Sequence, residues 1–176
     1  MNERVADRVR AVIRDVPDFP SPGILFKDIT PVLADPALMT DALREMTAPF
    51  LAAGVTHVVG IESRGFLFGM PIALELRASF APARKAGKLP WKTAREAYAL
   101  EYRQDVLEMH VDAVSAGARV LIVDDVLATG GTAGAVARLV EGLGAHVVGI
   151  AVLIELTFLN GRQLLSGHQV ASVVQY

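Results

Sequence analysis

The residues best suited to chemistry are two adjacent carboxylates followed by a loop of glycine and threonine. Asp124 and Asp125 follow the apolar, mostly β-branched residues 120–123. The loop after them contains Ala128, Thr129, Gly130, Gly131 and Thr132. Paired glycines let the backbone adopt positive φ angles and direct successive N–H groups at one point, which suits an anion. Because the carboxylates can accept hydrogen bonds from vicinal hydroxyls, the segment predicts a site for a ribose phosphate.

The elements on either side of this loop would hold it in place. Residues 120–123 are typical of a buried parallel strand. Val136, Leu139, Val140 and Leu143 recur with helical spacing, so a helix is predicted to begin near Gly131 with its positive end facing the phosphate. The alternative is an ordinary strand–helix turn whose acidic residues cap the helix. The acidic pair, the two threonines and the preceding strand together disfavour that alternative.

Composition indicates one soluble enzyme domain with a small partner. The chain has 176 residues, of which 52% are hydrophobic, enough for a sheet covered on both faces. Zero cysteines exclude disulfides, thiolate nucleophiles and cysteine-bound zinc. A net charge of −2 provides no broad surface for nucleic acid or anionic membrane. The charged N-terminus lacks the apolar core of a signal peptide, and no apolar run could span a bilayer, so we expect a cytoplasmic protein.

Two further predicted strands end in charged loops. Residues 56–61 form the first of these strands, and Glu62, Ser63 and Arg64 follow it. The strand at residues 79–83 is followed by Arg84, Lys85 and Lys88. Because doubly wound sheets bind ligands at the carboxyl ends of their strands, these cations are predicted to collect around phosphate oxygens. The alternatives are a surface ion pair between Glu62 and Arg64 and a solvated charge cluster.

Residues 123–132 resemble the phosphoribosyl-pyrophosphate motif of type I phosphoribosyltransferases. A narrower resemblance, to the adenine phosphoribosyltransferase family, rests on residues 19–36, 60–69, 84–90 and 98–102, and extends from about Pro17 to the C-terminus. It implies one α/β domain over residues 1–176, with a central, mainly parallel sheet of about five strands and helices on both faces. It also implies an N-terminal hood at about residues 1–34 and a mobile catalytic loop at about residues 85–109.

The activity implied by the resemblance is purine salvage, in which the phosphoribosyl group of 5-phosphoribosyl 1-pyrophosphate is transferred to adenine, giving AMP and pyrophosphate. The implied catalytic residues are Glu101, Tyr102 and Arg64. The ribose 5-phosphate would be bound by Asp124, Asp125, Ala128, Thr129, Gly130, Gly131 and Thr132. Pyrophosphate would be bound by Glu62, Ser63, Arg64, Arg84, Lys85 and Lys88, with a cis peptide between Glu62 and Ser63. Adenine would be bound by the Leu25 backbone, by stacking on Phe26 and by a polar contact from Lys27.

The resemblance further implies Mg²⁺, held mainly by substrate oxygens and water without firm protein ligands, and a homodimer. Two residues depart from the family pattern: Lys27 replaces the usual arginine, and Arg103 replaces the usual glycine. Two alternatives remain open. One is a transferase for a 6-oxopurine or another base, which would differ in the hood. The other is a regulator of the same fold that senses the sugar pyrophosphate and acts on nucleic acid.

Periodicity predicts most of the remaining elements. A first amphipathic helix should end before Pro17, and a second should begin at Pro36 with Asp35 as its N-cap. Residues 147–156 read as a long buried strand and residues 170–176 as a final edge strand. Residues 17–23, which are rich in proline, are expected to be irregular, as are residues 87–96.

Overall fold

The computed structural model of the chain describes residues 4–100 and 103–176. The described helices are α1 (Val5–Val12), α2 (Thr30–Leu33), α3 (Pro36–Thr47), α4 (Gly65–Leu76) and α5 (Gly131–Gly142). The strands are β1 (Arg14–Pro17), β2 (Leu25–Asp28), β3 (His57–Ile61), β4 (Ser79–Lys85), β5 (Thr93–Leu100), β6 (Arg103–His110), β7 (Arg119–Leu127), β8 (His146–Glu155) and β9 (Val170–Gln175). Three short 3₁₀ segments cover Ala48–Phe50, Thr157–Leu159 and Gly161–Leu165.

The described residues form a seven-stranded sheet in the order β5-β6-β4-β3-β7-β8-β9. Strands β4, β3, β7, β8 and β9 are parallel, and β5 and β6 form an antiparallel hairpin that joins the edge at β4. The predicted mainly parallel sheet is therefore confirmed, with β9 at its edge as expected. The five parallel strands match the predicted number, and the hairpin adds two more.

Helices cover both faces of the sheet because the central strands are apolar on both sides. Val120 and Ile122 of β7 pack in the cluster that includes α5. Leu121 and Val123 point the other way and pack in the cluster formed with α1, α3 and α4. Asp35 caps α3 as predicted, accepting hydrogen bonds from the N–H groups at positions 37 and 38. This two-sided packing holds the carboxyl ends of the strands at one rigid edge.

The N-terminal segment is irregular at residues 18–24, as its prolines predicted, and two short strands flank this turn. Strands β1 and β2 pair as an antiparallel hairpin, so that Pro17 lies opposite Leu25, and the Phe19–Pro20 peptide in the turn is cis. Helix α1 packs on α3 and β9. The segment predicted as a hood thus contains α1, this hairpin and α2.

The loop that follows β4 is also partly regular. Strand β5 begins at Thr93, so the second half of the segment expected to be irregular is paired with β6. Most of the predicted catalytic loop is therefore a hairpin, and its mobility stays a prediction. None of the described helices is both long and apolar enough to cross a lipid bilayer.

Candidate active site

The carboxyl ends of β3, β4 and β7 and the β5–β6 hairpin surround a cavity of about 630 Å³. Most of the predicted site residues line it: Glu62, Ser63, Arg64, Lys85, Lys88, Asp124, Asp125, Ala128, Thr129, Gly130 and Thr132. Parallel strands bring these loops together, although they are far apart in the sequence. The cavity combines phosphate-binding backbone, carboxylates and cations in one place.

The loop after β7 has the geometry of an anion site. Gly130 has a φ of +84°, a conformation that favours glycine, and it is the N-cap residue of α5. The N–H of Gly134 donates to the Gly130 carbonyl. The N–H groups at the start of α5, before Gly134, therefore have no acceptor within the helix. These amides and the helix dipole favour a bound anion. Gly131 begins α5 and borders a second, smaller cavity behind the loop.

Arg64 connects the loop after β3 to the acidic pair. Its Nε donates to Asp125 Oδ2 at 2.5 Å, and the Asp125 carboxylate is buried. The Asp125 N–H donates to Asp124 Oδ1 at 2.9 Å. Burial raises the pKa of Asp124, and the neighbouring charge of Asp125 raises it further. Arg64 therefore pairs with Asp125 rather than with Glu62, which was one of the alternatives considered from the sequence.

Glu62 and Arg84 form a second ion pair, and the predicted contact of Arg84 with pyrophosphate stays a prediction. Arg84 donates to both carboxylate oxygens of Glu62, at 3.1 and 3.3 Å, and the Lys85 N–H donates to the same group at 3.0 Å. Burial raises the pKa of Glu62, but these hydrogen bonds outweigh it and leave the pKa lowered. Arg84 also donates to the Lys88 carbonyl and is absent from the described lining of the cavity. Its guanidinium thus neutralises Glu62 and orders the loop that presents Lys85 and Lys88.

The peptide bond between Glu62 and Ser63 is cis, as the resemblance implied. Ser63 lies at the wall of the cavity between the paired side chains of Glu62 and Arg64.

The β1–β2 hairpin brings Phe26 to the edge of the site. The Phe26 ring lies 5.2 Å from the Arg64 guanidinium carbon and makes an edge-to-face contact with Phe19. The next residue, Lys27, alternates to the opposite side of β2, where its Nζ is 2.6 Å from Asp15 and 3.9 Å from the centre of the Tyr176 ring. The predicted polar contact of Lys27 with the ligand stays a prediction, and its ammonium group pairs with Asp15 in this structure. The Leu25 backbone contact stays a prediction.

The β5–β6 hairpin supplies residues that the sequence did not single out. Tyr98, Asp105 and Leu107 line the cavity, and Tyr98 lies opposite Asp105 in the hairpin register. Lys85 is 3.5 Å from Asp105, so the hairpin also contacts the cationic loop. The predicted catalytic residues Glu101 and Tyr102, between β5 and β6, lie outside the described residues.

Within residues 4–100 and 103–176, no cluster of three or more histidine, aspartate or glutamate side chains has the arrangement of a metal site. Asp124 and Asp125 precede the predicted phosphate loop at the end of β7, and both line the cavity.

Asp124→Asn should raise the free energy of unfolding at pH 7. The unfolded-state pKa of aspartate is about 3.9, and above it Asp124 ionises less readily in the folded protein than in the unfolded chain. The group therefore lowers stability as pH rises from about 4 through its folded pKa. A difference of one pH unit between the two pKa values corresponds to about 1.4 kcal/mol. Urea denaturation should show the gain from asparagine at pH 7 and its disappearance towards pH 3.

Asp112→Asn is the control, since Asp112 is exposed and lies away from the cavity. It should leave stability and its pH dependence unchanged. An Asp124→Asn protein that is less stable than wild type at pH 7 would contradict the assigned cost of ionising Asp124.

The chain is similar to known proteins over nearly its whole length. The family model for the phosphoribosyl transferase domain matches residues 36–164. An adenine phosphoribosyltransferase of Myxococcus xanthus is 57% identical, over 98% of this chain and 93% of that protein. The crystal structure of adenine phosphoribosyltransferase from Rhodothermus marinus is 54% identical, with a TM-score of 0.95 over 98% of each chain. The Saccharomyces cerevisiae enzyme, solved with an imino-altritol bisphosphate and adenine, is 39% identical, with a TM-score of 0.91 over 96% of this chain and 98% of that one.

Proposed function

The chain belongs to the adenine phosphoribosyltransferase family, and we propose that its cavity transfers the phosphoribosyl group of 5-phosphoribosyl 1-pyrophosphate to adenine, giving AMP and pyrophosphate in purine salvage. The observation that carries this proposal is the meeting of three strand-end loops at one cavity. The end of β7 carries the acidic pair and the loop that suits the 5-phosphate, the loop after β3 carries Arg64, and the loop after β4 presents lysines. A sugar that bears a phosphate at one end and a pyrophosphate at the other needs this combination.

The ligand would be divided among the loops. The amides of residues 128–132 and the hydroxyls of Thr129 and Thr132 would bind the 5-phosphate. Asp124 and Asp125 would accept hydrogen bonds from the ribose hydroxyls. Ser63, Arg64, Lys85 and Lys88 would bind pyrophosphate. Adenine would lie between Phe26 and the sugar, where the Phe26 ring faces Arg64.

The chemical step breaks the bond between the anomeric carbon and pyrophosphate while the purine nitrogen bonds to that carbon. Negative charge develops on the departing pyrophosphate as the ribose carbon becomes cation-like. The Arg64 guanidinium and the ammonium groups of Lys85 and Lys88 are preorganised to stabilise that charge. Glu101 would manage the proton of the purine ring, and closure of the hairpin would exclude water. Tyr102 belongs to the same proposed catalytic loop.

Magnesium fits the oxygen donors of this site. Mg²⁺ is usually bound through one or two carboxylates together with substrate phosphates. Asp125 is engaged by Arg64, so Asp124, the substrate oxygens and water would be the ligands, with the substrate supplying most of them. When bound, the ion would neutralise charge on the pyrophosphate.

The test is to incubate the purified protein with adenine, the sugar pyrophosphate and Mg²⁺, and to measure AMP and pyrophosphate. Equal amounts of both products should form. Turnover of hypoxanthine or guanine in place of adenine would support the transferase for another base. No turnover of any base, together with nucleic-acid binding in a gel shift at low salt, would support the regulator.

The charged sugar phosphate does not cross membranes, which supports the proposed cytoplasmic location.

We also propose a homodimer that covers the outer face of α4. Leu67, Met70 and Leu74 follow one another at helical spacing on this face and are 46%, 47% and 69% exposed. Three large apolar side chains in a row on a surface helix indicate an interaction site. A second copy is the occupant favoured here, because α4 begins directly after Arg64 and an interface there would brace the pyrophosphate loop.

Leu74→Glu should convert the dimer to a monomer, because it would place a charge in an apolar interface. Sedimentation equilibrium should give twice the chain mass of 18.8 kDa for wild type and the single mass for the variant. Leu51→Glu is the control, since Leu51 is 64% exposed but lies outside α4. A monomeric wild type, or a Leu74→Glu variant that remains dimeric, would contradict this assignment.

A further inference from the structure

The 3₁₀ segment Gly161–Leu165 touches the backbone of the phosphate loop. Gly161 begins this segment and packs directly on the loop backbone. A Cβ atom at Gly161 would overlap the Ala128 carbonyl oxygen and lie 3.0 Å from the Gly130 nitrogen. A Cβ atom at Gly130 would in turn overlap the Gly161 carbonyl. Backbone therefore lies against backbone, with no side chain between them to absorb a displacement.

An ion pair between the exposed Arg162 and the buried Glu155 holds Gly161 in this place. The adjacent Arg162 donates from Nε to Glu155 Oε1 at 2.5 Å and from Nη2 to Glu155 Oε2 at 2.7 Å. Glu155 is the last residue of β8 and is only 4% exposed. The two parallel hydrogen bonds fix both the distance and the plane of the guanidinium group.

Strand β9 completes the network around the pair. Ser172 Oγ donates to Glu155 Oε2 at 2.7 Å, and Gln175 Nε2 donates to the same oxygen at 3.2 Å. Arg162 Nη1 donates to the Val170 carbonyl at 2.9 Å. Hydrogen bonding from Arg162 and then Ser172 lowers the pKa of Glu155 in spite of its burial. The pair is thus charged at neutral pH, and it connects the sheet rigidly to the segment that supports the loop.

Glu155, Gly161 and Arg162 are absent from the described lining of the cavity, so they can affect a ligand there only through the loop. We propose that these three are positioning residues, which fix the backbone of residues 128–132 in its phosphate-binding conformation. The inference rests on the proposed function, because it assigns the 5-phosphate of the sugar to that loop. A displacement of about 1 Å in such a support can cost about 100-fold in activity.

Gly161→Ala tests the backbone contact. The dissociation constant of ribose 5-phosphate, measured by calorimetry, and the KM of the sugar pyrophosphate should both rise about 10- to 100-fold. The KM of adenine should change less than about twofold, because the loop does not form the proposed base site. Gly142→Ala is the matched control: its Cβ atom would meet nothing within 4 Å, and ribose 5-phosphate affinity should stay at the wild-type value.

Arg162→Lys and Arg162→Met test the ion pair. Lysine keeps the charge but loses the two-pronged geometry, so ribose 5-phosphate affinity should fall in the order wild type, lysine, methionine. Arg8→Met is the control, because it breaks a 2.6 Å ion pair with Asp41 between α1 and α3, away from the loop. It should lower Tm without changing ribose 5-phosphate affinity.

A purely structural role would lower Tm in the Arg162 variants and leave the affinity of the folded protein intact. If the Gly161→Ala and Arg162→Met proteins bind ribose 5-phosphate within twofold of wild type, this inference is overturned and the proposed function is not affected. A wild-type protein that binds neither ribose 5-phosphate nor the sugar pyrophosphate would overturn the proposed function, and this inference with it.

Discussion

Hypoxanthine and guanine should be used about 10⁴–10⁵-fold less efficiently than adenine, measured as kcat/KM in competition assays. The reason is the polarity of the backbone at Leu25. Its carbonyl would accept from the adenine amino group, and its N–H would donate to the adjacent ring nitrogen. A 6-oxopurine reverses both polarities, so carbonyl would face carbonyl and N–H would face N–H. Buried polar groups left unpaired in this way account for the large discrimination.

The structure offers a control for this prediction. The Leu25 side chain is 51% exposed and the residue begins β2, so the proposed contact belongs to the main chain. Leu25→Ala should therefore leave the preference for adenine within a few-fold of wild type. Comparable use of hypoxanthine or guanine by the wild-type protein would contradict the adenine assignment and favour the transferase for another base.

Glu101→Gln should lower kcat by about 10²–10⁴-fold, the range for a general acid–base group. The glutamine keeps the size of the side chain and loses its ability to hold the purine proton. Binding of the sugar pyrophosphate, measured by calorimetry, should barely change. Tyr98 and Asp105 of the β5–β6 hairpin line the cavity.

Glu45→Gln is the comparison for this variant, because Glu45 is an exposed glutamate on α3. Its kcat should equal that of wild type. An unchanged kcat in Glu101→Gln, with chemistry shown to be rate-limiting by single-turnover kinetics, would remove Glu101 from the mechanism.

The fold and the backbone of the site were largely predictable from the sequence, because they depend on local patterns. The continuous apolar run at residues 120–123, the helical spacing after Gly131 and the Asp35 cap each act within a few residues. Because doubly wound sheets bind ligands at the carboxyl ends of their strands, Arg64 and Lys85 could then be placed near Asp124 without any measured distance. These loops do meet at one cavity.

The partners of individual charges could not be predicted in the same way. Arg84 was predicted to bind pyrophosphate, but its ion pair with Glu62, 22 residues earlier, was not predicted. Lys27 was predicted to contact the ligand, but its pairing with Asp15 of the adjacent strand was not predicted. Each of these side chains had several acceptors within reach of its charge. Only the strand register decides which acceptor is closest.

Gly161 and Arg162 gave no local signal for a different reason. The close approach of Gly161 involves Ala128 and Gly130, about thirty positions earlier in the chain, and becomes visible only when β8 and β9 are in place. Tyr98 belongs to the segment that carries the resemblance, but its place in the cavity was not predicted, because that place depends on the pairing of β5 with β6. Long-range contacts that involve backbone atoms leave little trace in residue type.

The most direct measurement for the account is a crystal structure of the protein with AMP bound. We expect the phosphate to accept hydrogen bonds from the backbone N–H groups of residues 129–132 at about 2.7–3.2 Å. The ribose hydroxyls should donate to Asp124 and Asp125, and the adenine should lie against Phe26. A phosphate bound at Lys85 and Lys88 instead, with no ligand at the loop after β7, would contradict the proposed site.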